Sequence, residues 1–182
     1  MPRLFTGLEI PADAAFALSL KRGGLSGARW IDAENYHITL TFIGDVDNGA
    51  ANDIADGLDR LSNSIGFPVR IDHLGVFGGG KPRALYAGVE VNEGLMRLQA
   101  AQVRVLQRLG VVPEARKFIP HVSLARLRGT NAEEAARFIA EAGRFAPLSF
   151  APGRFVLFSS RDSVGGGPYV VEQAYPLSEL AA

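Results

Sequence analysis

The sequence of 182 residues contains no cysteine, no excess of either charge and no long apolar run. Without cysteine there is no disulfide, no thiolate ligand for a metal and no cysteine nucleophile. No segment approaches the length of a membrane span, and the first ten residues have neither a long apolar run nor a small-residue cleavage site. We therefore expect a cytoplasmic protein with no membrane partner.

The charges balance, with 19 basic and 19 acidic side chains. A protein that coats long stretches of nucleic acid normally has a basic excess, because its affinity comes from neutralising phosphates. A balanced charge favours contact with one or two phosphates, such as those at the end of a strand. Apolar residues make up 47% of the chain, which is enough for a full core, and we expect residues 1–182 to form one domain.

Two of the three histidines stand in the same four-residue phrase, His37 to Leu40 and His121 to Leu124. Each phrase reads histidine, β-branched apolar residue, hydroxyl residue, leucine. Because side chains alternate between the faces of a strand, each histidine shares a face with Thr39 or Ser123, two positions later. Two such strands brought together would place two imidazoles and two hydroxyls around one small space.

Hydrophobic periodicity places both phrases on strands within a repeated order of elements. Each half runs motif strand, helix, strand, glycine-rich loop, strand, which indicates an internal duplication. Strands and helices mix without regular βαβ alternation. We therefore predict an α+β, bilobal fold of two pseudo-symmetric lobes, each with an antiparallel sheet and helices, and motif strands that line a central cleft. The predicted strands are 3–10, 36–43, 67–77, 84–91, 117–127, 150–159 and 169–175, the predicted helices are 12–21, 52–61, 95–109 and 132–142, and the glycine-rich loops are 78–82 and 165–168.

Paired histidines and hydroxyls suit acid–base chemistry on a phosphate. Histidine has an unperturbed pKa of about 6.5, so one protonated ring can act as acid while a neutral one acts as base. Hydroxyls directed at the phosphate would stabilise the negative charge that gathers on its non-bridging oxygens. One such phrase is usually only a half-buried strand, but two in matching context favour catalysis. A metal site is the weaker alternative, because the motif strands offer no nearby pair of carboxylates.

Other residues near the phrases are candidates for substrate contacts. Arg126 lies at an odd spacing from Ser123, yet it is the best candidate for a charged clamp on a phosphate; the alternative is a solvated arginine at a strand end. Phe42 and Tyr169 could stack on a base, with packing in the core or at the rim as the alternative. The third histidine, His73, has no hydroxyl residue two positions later, and we assign it to structure.

The chain resembles the 2H phosphoesterase superfamily, and within it the bacterial and archaeal RNA 2′,3′-cyclic phosphodiesterases of the LigT type, once called 2′-5′ RNA ligases. Both motifs and their flanking sequences carry the resemblance, which covers nearly the whole chain. The matching segments are residues 3–5, 29–30, 34–40, 42–46, 74–77, 82–86 and 118–126.

This resemblance implies that the protein hydrolyses RNA 2′,3′-cyclic phosphate ends to 2′-phosphomonoesters with no metal or other cofactor, and that 2′-5′ ligation is the same chemistry in reverse. It implies that His37 is the general acid, which protonates the leaving 3′ oxygen, and that His121 is the general base, which activates water. Pseudo-symmetry leaves these two roles interchangeable. Thr39 and Ser123 would hold the phosphate, with help from Arg126.

The expected partners are RNA ends or nucleotides with a 2′,3′-cyclic phosphate; we expect no obligate protein partner and a monomer. Two positions depart from the family pattern. Ser123 stands where threonine is common, which keeps the hydroxyl but loses the methyl group that restricts its rotamer. Thr41 stands where the family often has a basic residue.

Two alternatives stay open. One is a related 2H enzyme that acts on small cyclic nucleotides or on 2′-5′-linked oligonucleotides. The other is a non-catalytic module that binds RNA ends or nucleotides. Intact histidines and hydroxyls in both phrases argue against the second, because a binding module needs no acid–base pair.

Overall fold

The computed structural model describes residues 1–160 and 167–180. In this part of the chain, nine strands and four α-helices form an α+β fold, as the sequence predicts. The strands are β1 (Arg3–Glu9), β2 (Ala28–Trp30), β3 (His37–Asp45), β4 (Val69–Phe77), β5 (Ala84–Val89), β6 (His121–Leu127), β7 (Leu148–Phe150), β8 (Arg154–Ser160) and β9 (Tyr169–Pro176), and the helices are α1 (Ala12–Ser19), α2 (Asn48–Leu58), α3 (Glu93–Arg108) and α4 (Ala132–Ala142).

The strands form an antiparallel sheet in the order β7-β4-β5-β6-β3-β1-β8-β9, with β2 beside β6. The pairing between neighbouring strands is shortest at the centre of the sheet, where the two motif strands β3 and β6 pair only through Ile38 and Val122. By contrast, β1 pairs with β3 along the whole of Arg3 to Glu9. The molecule therefore has a first lobe (β3, β1, β8 and β9) and a second lobe (β6, β5, β4, β7 and β2), joined at the motif strands.

The two lobes exchange hairpins. The β4–β5 hairpin follows the first motif strand in sequence but pairs with the second motif strand, β6. The β8–β9 hairpin follows the second motif strand but pairs with β1, next to the first motif strand. This exchange gives the repeated order of elements a pseudo-twofold arrangement, and it places β3 and β6 side by side in the middle of the sheet.

The apolar side chains of both motifs lie in the main core. Ile38 and Val122 are completely buried, and they belong to one cluster with the apolar faces of α2, α3 and α4. Burying an aliphatic side chain of this size stabilises the fold by about 1.5–3 kcal/mol. Because alternate residues of a strand face opposite ways, this burial directs the histidines and hydroxyls to the other face of the sheet.

Three predicted elements differ from the structure. The second motif strand begins at His121 rather than at residue 117, because Pro120 cannot donate a main-chain hydrogen bond to a ladder. The strand predicted at 150–159 is divided into β7 and β8, which flank Pro152 and Gly153. Helix α2 begins four residues earlier than predicted, because the Asp47 side chain caps it by accepting a hydrogen bond from the main-chain N–H of Ala50.

Helix α2 also ends three residues earlier than predicted, at Leu58. The boundaries of the other predicted elements lie within two residues of the observed ones, and α4 has the predicted bounds. Strand β2 and two 3₁₀ turns (Ala33–Asn35 and Asp59–Leu61) were not predicted. The loop predicted at 78–82 connects β4 and β5. Residues 165 and 166 of the second predicted loop lie outside the described residues. No helix in the described ranges is long and apolar enough to cross a membrane.

Candidate active site

Each motif strand has a β-bulge at the last residue of its motif. The pairing of β3 with β1 skips Leu40, and the pairing of β6 with β5 skips Leu124. A bulge adds one residue to a strand and so shifts the alternation of the residues that follow. Phe42 and Arg126 therefore return to the face that carries the histidines. This shift resolves the odd spacing of Arg126, which simple alternation places on the wrong face.

The ring of His37 is held from both of its nitrogens. Its Nδ1 lies 2.9 Å from the main-chain oxygen of Asn35, and its Nε2 lies 3.0 Å from Oγ1 of Thr39. Since a carbonyl oxygen only accepts, Nδ1–H donates to Asn35, and Nε2 is the nitrogen that meets the hydroxyl. His37 and Thr39 thus share a face of the strand, as the sequence predicts, and their side chains are in direct contact.

Aromatic rings surround His37. Their centroids lie 5.1 Å (Phe5), 5.5 Å (Phe158) and 4.9 Å (Tyr169) from that of the imidazole. Burial lowers the pKa of His37 below its ordinary value; the charge of His121 lowers it further, while the Asn35 carbonyl acts in the opposite direction. The surroundings therefore favour the neutral ring before an anion binds.

His121 repeats this arrangement in the second lobe. Its Nδ1 donates to the main-chain oxygen of Ile119, at 2.6 Å. The rings of Phe77 and Tyr86 lie 4.9 and 5.3 Å from the imidazole. Burial again lowers the pKa, and the Ile119 carbonyl opposes the shift. Each histidine is therefore anchored by the carbonyl two residues before it, and each presents Nε2 to the cleft.

The pairing between β3 and β6 brings the two motifs together. With Ile38 opposite Val122 in an antiparallel pair, the neighbours on the other face are also opposed. This register places His37 across from Ser123, and Thr39 across from His121. The structure thus assembles all four predicted residues at the junction of the lobes.

Aromatic side chains form the walls of this site, and sequence reasoning missed four of them: Phe5, Phe77, Tyr86 and Phe158. The available signal was glycine inside strands, which marks a close approach by another group. Gly75 is one example, since a Cβ atom at this position would collide with the ring of Tyr86. Gly75 therefore lets the ring of Tyr86 lie against the sheet beside His121.

The remaining candidates have different positions. Arg126 is exposed at the far end of β6. Phe42 is 42% exposed and lies opposite Phe5 in the β1–β3 pair, so both share the cleft face. Tyr169 meets His37 edge-on, so it belongs to the wall around that ring. His73 lies two strands from β6, where its Nδ1 donates to Asp72 at 2.7 Å.

A groove of about 520 Å³ opens beside His37. Its walls come from α1, the turn at Ala33–Asn35 and β9, and they include Phe16, Asn35 and Tyr169. This volume lies within the range of pockets that hold small organic ligands. Within the described ranges, no group of three or more histidine, aspartate or glutamate side chains is placed to hold a metal ion.

A two-lobed α+β fold with paired histidine–hydroxyl motifs at its centre is the arrangement of a 2H phosphoesterase. The sequence matches the family described as LigT like Phosphoesterase over residues 8–86 and 89–169. The chain therefore belongs to the LigT-like phosphoesterase family, and the resemblance stated from the motifs is confirmed.

Relatives of this chain share one enzyme name, RNA 2′,3′-cyclic phosphodiesterase. The protein of that name from Thermotoga maritima is 33% identical over 156 residues, which are 84% of this chain and 80% of the relative. The one from Bacillus subtilis is 27% identical over 168 residues, which are 90% of this chain and 86% of the relative.

Solved structures share the fold. The crystal structure of TT0787 from Thermus thermophilus has a TM-score of 0.79 at 24% identity and covers 96% of this chain and 97% of its own. The structure of Escherichia coli LigT complexed with 3′-AMP has a TM-score of 0.77 at 24% identity and covers 98% of this chain and all of its own (100%). These likenesses confirm the α+β fold.

Proposed function

We propose that this protein opens RNA 2′,3′-cyclic phosphate ends to 2′-phosphomonoesters without a metal, and that 2′-5′ ligation is the reverse reaction of the same site. The observation that carries the proposal is the meeting of two histidine–hydroxyl pairs across the single β3–β6 contact. The shared name of the relatives supports the choice of substrate.

The proposed mechanism uses one histidine on each side of the phosphorus. His121 takes a proton from water, whose oxygen bonds to phosphorus. His37 gives its proton to the 3′ oxygen as the bond between that oxygen and phosphorus breaks. The product is a free 3′ hydroxyl beside a 2′-phosphate, and exchange with solvent restores the starting protonation states. Nε2 is the reacting nitrogen of both rings, because each Nδ1–H is engaged by a carbonyl.

Binding of the phosphate favours the protonated form of the histidine that acts as the acid. Burial lowers the pKa of both histidines in the free protein. A bound anion favours a positive charge nearby and therefore raises these pKa values again. The hydroxyls of Thr39 and Ser123 contact the non-bridging oxygens and stabilise the charge that develops there, and Arg126 adds positive charge from the rim.

The decisive experiment is incubation with a labelled RNA that ends in a 2′,3′-cyclic phosphate, with excess EDTA, followed by chromatography against 2′- and 3′-phosphate standards. We expect full conversion to the 2′-phosphate, at the same rate with and without EDTA. A 3′-phosphate product would contradict the bond that is proposed to break, and loss of activity on chelation would contradict the metal-independent mechanism.

A substrate with a good leaving group separates the acid from the base. A phosphodiester with a 4-nitrophenolate leaving group needs no protonation of that group. His37→Ala is therefore expected to keep near wild-type activity on it, whereas His121→Ala is expected to lose activity on both substrates. The opposite pattern would exchange the two roles.

The groove beside His37 favours one second candidate, a 2H enzyme that acts on small cyclic nucleotides. Its volume of about 520 Å³ suits a single nucleoside, and it opens directly at the histidine. The two candidates are distinguished by a measurement of kcat/KM for a nucleoside 2′,3′-cyclic phosphate and for an oligonucleotide that has the same end.

A further inference from the structure

A pair of arginines faces the cleft at the end of β6 that is distant from His121. Arg126 on β6 lies directly opposite Arg29 on β2, and both are exposed. Directly opposed residues of neighbouring strands share a face. The next residue of β2, Trp30, packs against Phe138 of α4 on the core side, which directs Arg29 to the cleft side.

Arg29 and Arg126 bring two positive charges to adjacent positions on this face, where one anion can contact both guanidinium groups. Arg128, the first residue after β6, adds a third exposed positive charge at this end of the strand. The ion pairs found among the described residues include no carboxylate partner for Arg29 or Arg128.

The pseudo-twofold axis relates this basic end of the cleft to an aromatic one. The equivalent of Arg126 in the first lobe is Phe42, since both follow the bulge of their motif strand by two residues. Phe42 presents a ring, beside that of its cross-strand partner Phe5, at the position where the second lobe presents Arg126. The two ends of the cleft therefore differ in chemistry: the first lobe suits a base, and the second lobe suits a phosphate.

We infer that Arg29 and Arg126 form a second phosphate site, which binds the phosphodiester on the 5′ side of the terminal nucleotide of an RNA. Arg126 is three residues beyond Ser123, which corresponds to about 10 Å along an extended strand. The side chains of Arg29 and Arg126 extend beyond this distance. The site makes the protein selective for oligonucleotides over mononucleotides. This inference rests on the proposed function.

Three substrates with the same 2′,3′-cyclic end test the site. They are a nucleoside 2′,3′-cyclic monophosphate, a dinucleotide with a charged phosphodiester, and the same dinucleotide with an uncharged methylphosphonate linkage. For the wild-type protein we expect kcat/KM to be about 10- to 100-fold higher for the charged dinucleotide than for the other two, since the charge-assisted hydrogen bonds to the phosphodiester are lost with its charge.

Arg29→Gln is expected to remove this advantage through KM, with kcat unchanged, and to leave the two other substrates as they were. The slope of log(kcat/KM) against log salt for the charged dinucleotide should become shallower by about 0.7, the value for one phosphate contact on a single strand. Arg29→Lys, which keeps the charge but loses the forked geometry, should be intermediate.

Arg104→Gln is the matched control. It makes the same change of charge on an exposed position of α3, a helix whose Gln102 contacts the core side of β3, away from the cleft. It should change none of the three values of kcat/KM. Equal rates of the wild type on the charged and uncharged dinucleotides, or an equal loss on all substrates in Arg29→Gln, would refute the second phosphate site while leaving the proposed function intact. Failure of the wild type on all three substrates would refute both.

Discussion

Each histidine is oriented by a main-chain carbonyl group that takes no part in the proposed reaction. Asn35 and Ile119 each accept a hydrogen bond from Nδ1–H of the histidine two residues later. Both residues precede their strands, so the turn into each strand determines which ring nitrogen faces the cleft. The tautomer is therefore decided by backbone geometry rather than by a buried carboxylate.

Removal of either motif imidazole should abolish acid–base catalysis. We expect His37→Ala and His121→Ala each to lower kcat by about 10²-fold or more on an RNA with a 2′,3′-cyclic end, the size usual for losing a general acid or base. His73→Ala is the matched control, because it removes the same ring from a position bonded to Asp72, and it should leave kcat nearly unchanged. Wild-type kcat in either motif variant, with a native circular dichroism spectrum, would refute the two-histidine mechanism.

The dependence of activity on pH follows from the burial of both rings. Burial disfavours the charged imidazolium, so both pKa values lie below the ordinary 6.5 in the free protein. In the proposed mechanism the active form has one proton on the pair, and the population of that form is greatest between the two pKa values. We expect a bell-shaped profile of kcat/KM with its maximum below pH 6.5. A maximum above pH 7 would contradict the lowering of the histidine pKa values by burial among the aromatic side chains.

At the scale of elements, a buried polar link supports the bulge of the first motif strand. Oε1 of Gln102, on α3, accepts hydrogen bonds from the hydroxyls of Thr6 (2.6 Å) and Thr41 (3.1 Å). The Thr6 hydroxyl in turn accepts from the main-chain N–H of Thr41. Thr41 therefore faces the core, and the residue that reaches the cleft after this motif is Phe42. The side chain at this position, where the family often has a basic residue, is therefore buried and directed away from the cleft.

Loss of this link should destabilise the first lobe. Gln102→Met keeps the volume of the side chain but leaves two buried threonine hydroxyls without their acceptor, so we expect the free energy of unfolding to fall by about 1–3 kcal/mol. Gln107→Met makes the same substitution at an exposed position of the same helix and should change it by less than about 0.5 kcal/mol. Urea titration measures both values, and equal stability of the two variants would contradict a structural role for the link.

At the scale of the whole molecule, the site lies where the two lobes have their least backbone pairing. A single residue pair joins β3 to β6, yet each strand contributes one histidine and one hydroxyl to the cleft. A phosphate held by both motifs therefore also connects the lobes. Ligand binding and the stability of the junction should be coupled by mass action.

This coupling predicts a thermal shift. A nucleoside 2′-phosphate at about 100 times its Kd should stabilise the native protein by about 2.7 kcal/mol, which for a chain of this size raises Tm by about 5–10 °C. Thr39→Val and Ser123→Ala should each reduce the shift, measured by calorimetry at the same ligand concentration. A full shift in either variant would mean that the ligand is held by one lobe alone.

The sequence by itself determined the α+β class, the motif strands and the shared face of each histidine with its hydroxyl, because burial of alternate residues depends only on local periodicity. It also determined α4 to the residue, since its capping box of Asn131 and Glu134 is local. Only the tertiary structure decided the exchange of hairpins, the bulges at Leu40 and Leu124, and the aromatic walls. These features arise from pairing between distant segments, as between β1 and β8, and no local pattern records which strands will become neighbours.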